Sequence, residues 1–254
     1  MTVQELMTIA ESYAPLSLSD AFKNAGAHDN SGVIVKSHDE VNKVLFALDL
    51  SESAIEKAVK IGADTIVTHH PAIYYPISSL SVDGENIAIF KAVQNGLNVI
   101  SMHLNLDIAE TGVDFYLAEA LGAKTVTVIE NIVDGYGYGR ECVIDKIDFS
   151  DFVNNAVKTL KANNYFVFAK SQKQVKKFAS FCGAGSSEAL KYSGNADTII
   201  TSDLPHHAIK KLVEDGKRVI QFTHYATEFY GFKKFAEFMS QSIEVVIHED
   251  GVYL

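Results

Sequence analysis

Two adjacent histidines, His69 and His70, end the apolar run Thr65–Thr68 in the stretch "TIVTHHPAIYYP". Successive side chains of a strand point to opposite faces. Because Pro71 follows at once, the chain must leave the strand there, and both imidazoles can turn toward one site. A lone pair of histidines is more often structural than functional, so its meaning depends on the other polar residues of the sequence.

Two further histidines each precede an acid by four positions, at the ends of other apolar runs. His103 is followed by Asp107, and His224 is followed by Glu228. Side chains four apart share one face of a helix, close enough to bind a single ion. One such pair is usually an ordinary surface pair. Both pairs together, displaced by 121 positions, favour a repeated ligand motif.

These residue types indicate metal chemistry. Imidazole and carboxylate ligands suit divalent Zn, Fe, Mn, Co or Ni. Three or more imidazoles with two carboxylates exceed what one tetrahedral site needs, and carboxylates can bridge two ions as in two-metal hydrolases. The constellation comprises His69, His70, His103, Asp107, Asp203, His224 and Glu228.

The elements around these residues predict an α/β fold. Apolar runs such as Lys43–Leu50 alternate with helical patterns such as Ser51–Gly62, which has an N-cap serine and a closing glycine. This alternation is typical of βαβ units, and ligands gather beyond the carboxyl ends of parallel strands. We therefore expect mostly parallel or mixed sheets, flanked by helices, with the constellation at the strand ends.

The sequence also repeats itself. "ADTIVTHH" (63–70) matches "ADTIITSD" (196–203) at a displacement of 133. We predict two intertwined, related α/β halves, 1–130 and 131–254, that form one compact unit with the metal site between them. The boundary is placed in the glycine-rich stretch "NIVDGYGYGR" (131–140).

Composition narrows the partners. The formal net charge of −10 disfavours nucleic acid, whose binding needs clustered Lys and Arg. Two cysteines favour a reducing cytoplasm over a disulfide framework, and no apolar run is long enough to predict a membrane span. The expected partner is a small-molecule substrate.

The stretches "HDNSG", "THHPAIYYPI", "HLNLDIAETGVDFYLAEALG", "CGAGSS" and "THYATE" resemble, in order and spacing, the Nif-three-like family of GTP cyclohydrolase 1 type 2 homologues. The resemblance implies an intertwined two-repeat fold, a dinuclear metal centre and a homohexamer. It places the metal ligands at His69, His70, Asp107, His224 and Glu228, with Asp107 and Glu228 as candidate bridging residues.

The resulting hypothesis is a dinuclear metal-dependent hydrolase acting on a nucleotide, a phosphoester or a cyclic amide. His103 and Asp203 are the candidate catalytic residues, since either could carry a proton. Arg140, within "GYGYGR", is a candidate contact for an anionic substrate. The alternative is a non-catalytic metal-binding assembly or interaction protein that stores or presents ions.

Overall fold

The computed structural model describes residues 1–81, 84, 86–171 and 173–254. The helices are α1 Val3–Tyr13, α2 Leu16–Asn24, α3 Glu52–Ile61, α4 Ile87–Gln94, α5 Leu104–Ile108, α6 Val113–Ala120, α7 Phe149–Leu160, α8 Ser186–Lys191, α9 His206–Glu214 and α10 His224–Met239. The strands are β1 Gly32–Val35, β2 Lys43–Ala47, β3 Thr65–Thr68, β4 Asn98–Ser101, β5 Thr125–Val133, β6 Tyr136–Ile147, β7 Tyr165–Phe168, β8 Val175–Ser180, β9 Thr198–Thr201, β10 Arg218–Phe222 and β11 Glu244–Ile247. In this described part of the chain, no helix combines the length and apolarity needed to cross a bilayer.

The fold is α/β, as predicted, with two mixed sheets flanked by helices. The chain forms two compact units: the first contains 1–109 and 232–249, and the second contains 110–231 and 250–254. The division into repeats near residue 131 remains a prediction. The glycine-rich stretch 131–140 lies within a β-hairpin, whose turn residues Asp134 and Gly135 both have positive φ.

The first unit contains a five-stranded sheet in the order β1-β4-β3-β2-β11. Strands β4, β3, β2 and β11 are parallel, and β1 is antiparallel to β4. Every residue of β3 is buried, which explains its continuous apolar and threonine sequence. Leu45, Ile66 and Val99, from three neighbouring strands, form the centre of an apolar core.

The second unit contains a six-stranded sheet in the order β5-β6-β8-β9-β10-β7. Strands β8, β9 and β10 are parallel, whereas β5, β6 and β7 run antiparallel to their neighbours. Its apolar core includes Phe181, Ile199 and Val219. Both sheets thus contain three consecutive parallel strands, β2-β3-β4 and β8-β9-β10, with an antiparallel strand beside the last of them; in the first sheet β11 adds a fourth parallel strand beside β2. The repeated sequences occupy the central strands of the two triplets, β3 and β9.

Local sequence signals explain the helix ends in these βα units. Ser51 precedes α3, and its hydroxyl accepts a hydrogen bond from the Ala54 amide at 3.1 Å. Gly62 ends α3 in the left-handed conformation, at a φ of 68°. Both positions confirm the predicted start and end of this helix.

Arg140 does not face a substrate, because the residue is only 3% exposed. Its Nη1 donates to Asp114 Oδ2 at 3.0 Å and to the Gly137 carbonyl at 2.7 Å. Asp114 is fully buried and also accepts from the Cys182 amide at 3.2 Å. The pair therefore stabilises the second unit, and the predicted anion contact is wrong.

Replacing Asp114 by Asn should destabilise the protein strongly, because the Arg140 charge stays buried without its counter-charge. We expect the free energy of unfolding to fall by about 3–5 kcal/mol, measured by urea denaturation. The control is Asp145→Asn, which removes an exposed partner of Lys124 and should cost less than about 1 kcal/mol. Equal losses in the two variants would contradict a buried charge pair.

Candidate metal centre

The predicted site residues of the first unit, together with Asp49, which was not predicted, follow its parallel strands or lie close to their ends. Asp49 follows β2, His69 and His70 follow β3, and His103 follows β4. Because neighbouring parallel strands end at one edge of a sheet, these side chains are neighbours. Asp107 joins them from α5, four positions after His103.

His69 is the buried centre of this first cluster. Its Nδ1 donates to the Met102 carbonyl at 2.8 Å. A carbonyl oxygen only accepts, so Nδ1 carries a proton, and in the neutral ring Nε2 carries the lone pair. That Nε2 lies 3.3 Å from Asp107 Oδ1. A lone pair facing a carboxylate at this distance needs a proton or a cation between them, and imidazole with carboxylate is a donor set that fits a divalent metal ion.

The other two imidazoles of the cluster are oriented in the same way. His70 Nδ1 lies 2.6 Å from Asp49 Oδ1, and His103 Nδ1 lies 2.7 Å from Asp29 Oδ1. The ring centroids of His69, His70 and His103 are 5.1–5.7 Å apart. One nitrogen from each can be chosen so that all three lie within 4.8 Å of one another. The first unit therefore presents three imidazoles and one carboxylate together.

Asp29 is the charged acceptor that holds His103. Burial raises the pKa of its carboxyl group, but hydrogen bonds from His103, Ser19 and Ser31 outweigh that effect and lower the pKa to about 2. The group is consequently a carboxylate at neutral pH. It fixes the proton on His103 Nδ1 and leaves Nε2 as the nitrogen available to a ligand.

The second unit repeats this arrangement at the start of α10. His224 Nδ1 is hydrogen-bonded to Asp203, which follows β9, and His224 Nε2 lies 3.0 Å from Glu228 Oε1. The hydrogen bond from His224 is the main reason that the pKa of Asp203 is lowered. Glu228 is 3% exposed. As in the first cluster, an acceptor holds Nδ1 of the histidine while Nε2 faces a buried carboxylate. Imidazole and carboxylate are again donors that fit a divalent ion.

Gly183, after β8, packs directly against the side chains of His224 and Glu228. Its φ is +57°, and a Cβ at this position would overlap Glu228 Oε1 and approach His224 Nε2 to 3.1 Å. Its amide donates to Thr227 Oγ1 at 3.0 Å, and its carbonyl accepts from Ser202 Oγ at 2.7 Å. The turn is thus fixed in a place that only glycine fits.

All seven sequence-predicted residues fall in these two clusters, four in the first unit and three in the second. Their assignment as metal ligands and catalytic groups remains a prediction. Sequence reasoning gave no role to Asp29 and Asp49, and it identified Gly183 only as part of the quoted "CGAGSS" stretch, not as a contact of His224 and Glu228. Asp49 could have been found from its position after a strand, and Asp29 lies within the quoted "HDNSG" stretch.

Comparison with known families gives a match that spans nearly the whole chain. The model of Duf34/NIF3, described as NGG1p interacting factor 3, matches residues 1–250. That extent covers the whole first unit, the second unit except residues 251–254, and every residue of the two clusters.

Curated relatives agree with this match. A protein of Methanocaldococcus jannaschii named GTP cyclohydrolase 1 type 2 homolog is 32% identical over 252 residues, covering 97% of this chain and 98% of the relative. A protein of the same name from Staphylococcus aureus is 36% identical over 153 residues, covering 60% of this chain and 40% of the relative. The match to the second protein is therefore partial.

Solved structures share the fold. Reduced HcgD from Methanocaldococcus jannaschii has a TM-score of 0.83 at 30% identity, with 97% of each chain covered. A Bacillus cereus protein related to NIF3 has a TM-score of 0.86 at 18% identity, with 98% of this chain and 97% of that chain covered. The second likeness shows the fold alone.

Gly183→Ala should weaken metal binding, because its methyl group displaces Glu228 and His224. We expect the affinity for Zn(II), measured by competition with a chromophoric chelator, to fall by about 10-fold or more. The matched control is Gly216→Ala, also at positive φ (+83°), where an added Cβ would meet nothing within 4 Å. Both variants lose stability through backbone strain, but only the first should lose metal. An unchanged Zn(II) affinity in Gly183→Ala would show that His224 and Glu228 are not ligands.

Proposed function

Because this chain belongs to the Duf34/NIF3 family, we propose that it is a dinuclear metal-dependent hydrolase. The observation that carries the proposal is a repeated one. In each unit an imidazole Nε2 faces a buried carboxylate, at 3.3 Å for His69 and Asp107 and at 3.0 Å for His224 and Glu228. Such pairs are donor sets that divalent ions of the Zn or Fe class bind, and the described part of the chain has one of these two pairs in each unit.

The proposed ligands are His69, His70, Asp107, His224 and Glu228. Three nitrogens and two carboxylates exceed the needs of one tetrahedral ion, so the proposal assigns them to two ions of the Zn, Fe, Mn, Co or Ni class. Neither cysteine belongs to the donor set, which disfavours ions that prefer thiolates. The two predicted bridging groups, Asp107 and Glu228, come from equivalent positions in the repeat.

Bound divalent ions supply Lewis acidity to a substrate oxygen and lower the pKa of water to near neutrality. The chain's own contribution begins with His103. Its Nδ1 proton is held by Asp29 at 2.7 Å, so Nε2 is the atom that accepts and returns a proton during hydrolysis. Asp203 is bonded to His224 Nδ1. It therefore acts as a positioning residue that keeps His224 Nε2 directed at Glu228.

The proposed substrate is a nucleotide, a phosphoester or a cyclic amide. The relative from Methanocaldococcus jannaschii has a name that refers to GTP cyclohydrolase, and ring opening by a cyclohydrolase is hydrolysis of a cyclic amide-like bond. That name supports the hydrolytic class. The geometry of the ligands indicates the type of reaction better than it indicates the substrate. The proposal therefore keeps all three substrate classes.

A second candidate is a non-catalytic metal-binding assembly or interaction protein. The family description, NGG1p interacting factor 3, favours it because it refers to an interaction and not to a reaction. The same ligands would then store or present ions. A homohexamer in the cytoplasm is part of both proposals, and light scattering after size-exclusion chromatography measures that assembly directly.

Glu228→Gln should remove both metal and turnover, because an amide replaces a buried anionic ligand with a neutral one. We expect bound Zn(II) or Mn(II) per chain, measured by elemental analysis, to fall by half or more. Hydrolysis of a panel of nucleotides, phosphoesters and cyclic amides should fall by at least about 100-fold. The control is Glu237→Gln, whose carboxylate is exposed and paired with Lys234; it should keep full metal and full activity.

The two candidates give different results in this experiment. Turnover by the metal-loaded parent protein that disappears in Glu228→Gln supports the hydrolase. Metal loss in the variant, with no turnover by either protein on any substrate, contradicts the hydrolase and favours the interaction protein. Full metal content in Glu228→Gln would contradict both.

A further inference from the structure

An exposed aromatic surface lies beside the first cluster. It consists of His28, Tyr74 and Tyr75, and these three residues are called the aromatic platform. Tyr74 is 38% exposed and Tyr75 is 63% exposed. Large aromatic side chains that are grouped on a surface mark contact sites more often than isolated ones do. No step proposed for the hydrolase uses them.

The rings of the platform have an ordered arrangement. His28 and Tyr75 are stacked, with centroids 4.5 Å apart and planes 23° from parallel. Tyr74 stands edge-on to both, with centroids 4.8 Å from each. One face of Tyr75 is covered by His28, yet most of the side chain is open to solvent. The opposite face of Tyr75 is therefore available to continue the stack.

Hydrogen bonds hold the platform in place. The Tyr74 hydroxyl donates to the His28 carbonyl at 2.8 Å, and His28 Nε2 donates to the Tyr74 carbonyl at 2.5 Å. Asn30 Nδ2 donates to the Ile73 carbonyl at 2.6 Å. A surface that is already ordered loses little conformational entropy when it binds a ligand.

The platform is tied to the metal-binding cluster by the same short segment. Asp29, next to His28, holds His103 Nδ1 at 2.7 Å, and Ser31 Oγ accepts from the His103 amide at 3.1 Å. The Tyr74 and His103 rings are 6.1 Å apart and nearly perpendicular. An apolar, aromatic surface and a polar imidazole cluster are thus neighbours at a fixed spacing.

We propose that the aromatic platform stacks a planar heteroaromatic ring of the substrate, whose polar end reaches His103. The proposal rests on the proposed hydrolase only for the chemistry at that polar end. It narrows the substrate class to nucleotides and similar ring-containing molecules, and it excludes simple aliphatic phosphoesters. Tyr75 is then a specificity-determining residue, because its open face contacts the ring directly.

A second copy of this chain could also cover an exposed aromatic surface. Two features favour a ring-shaped ligand. The most exposed member of the platform, Tyr75, is already stacked on His28, and the platform lies next to a cluster of imidazoles. A protein interface has no need of that cluster. Titration with two matched probes separates the two occupants.

The test compares two probes, guanosine 5′-monophosphate and ribose 5-phosphate, of which only the first carries a heteroaromatic base. Isothermal titration calorimetry is carried out on the full chain reconstituted with Zn(II). The parent protein should bind guanosine 5′-monophosphate at least about 10-fold more tightly. Tyr75→Ala should lose about 5- to 100-fold of that affinity and keep its affinity for ribose 5-phosphate, whereas Tyr75→Phe should behave as the parent protein. Tyr165→Ala removes another exposed tyrosine, on strand β7, and should change neither affinity.

Equal binding of the two probes by the parent protein would overturn the proposal. So would an unchanged affinity of Tyr75→Ala for guanosine 5′-monophosphate, or a change in its oligomeric state by light scattering without a change in ring preference. Turnover is measured separately. Ring-selective binding without hydrolysis would support the proposed role of the aromatic platform and contradict the hydrolase. Hydrolysis without ring selectivity would support the hydrolase and contradict the role of the platform.

Discussion

The hydrogen bond at Nδ1 of each clustered histidine is the interaction on which the candidate site depends. In each ring that bond engages Nδ1 and directs the other nitrogen, Nε2, toward the remaining side chains of the cluster. The acceptors are the Met102 carbonyl for His69 and the carboxylates of Asp49, Asp29 and Asp203 for His70, His103 and His224. Without these acceptors the same histidines could turn the wrong nitrogen to the site. Orientation of the rings, rather than their mere number, is what makes the clusters suitable for metal.

The fold supplies the acceptors through two parallel triplets of strands. The central strands of these triplets, β3 and β9, are buried along their whole length, and the clustered polar side chains follow directly after they end. Burying carboxylates such as Glu228 and Asp29 is costly unless each is bonded or paired. Here Asp29 accepts from Ser19, Ser31 and His103, and the segment that carries it also holds the aromatic platform. In the first unit, the imidazole of His103, the carboxylate of Asp29 that holds it and the aromatic platform are therefore joined by one set of hydrogen bonds.

Much of the candidate site follows from the sequence because its signals are local. A strand ending in His69 and His70, or a histidine four positions before Glu228, is visible in a few letters. The acceptors are harder to predict, since Asp29 and His103 are 74 positions apart and only the tertiary fold brings them together. Arg140 shows the same limit. Its glycine-rich surroundings resemble a ligand loop, yet its guanidinium pairs with a buried carboxylate, that of Asp114, 26 positions earlier.

The fold class was predictable from alternating strands and helices. The return of the last strand, β11, to pair with β2 was not, because it depends on distant contacts for which no local pattern exists. The stretch 131–140 suggests a boundary from its glycines, but Asp134 and Gly135 form the turn of a hairpin, a signal that an Asp-Gly pair between apolar runs already carries.

Protonation of the histidine rings is the most direct test of the candidate site. In protein labelled with ¹⁵N at histidine, long-range ¹H–¹⁵N correlation spectra distinguish the Nδ1–H and Nε2–H forms and report metal binding at each nitrogen. We predict the Nδ1–H form for His69, His70, His103 and His224 at neutral pH, and a change in the Nε2 resonances of His69, His70 and His224 when Zn(II) is added. Rings protonated at Nε2, or Nε2 resonances unaffected by saturating Zn(II), would contradict the oriented metal centre.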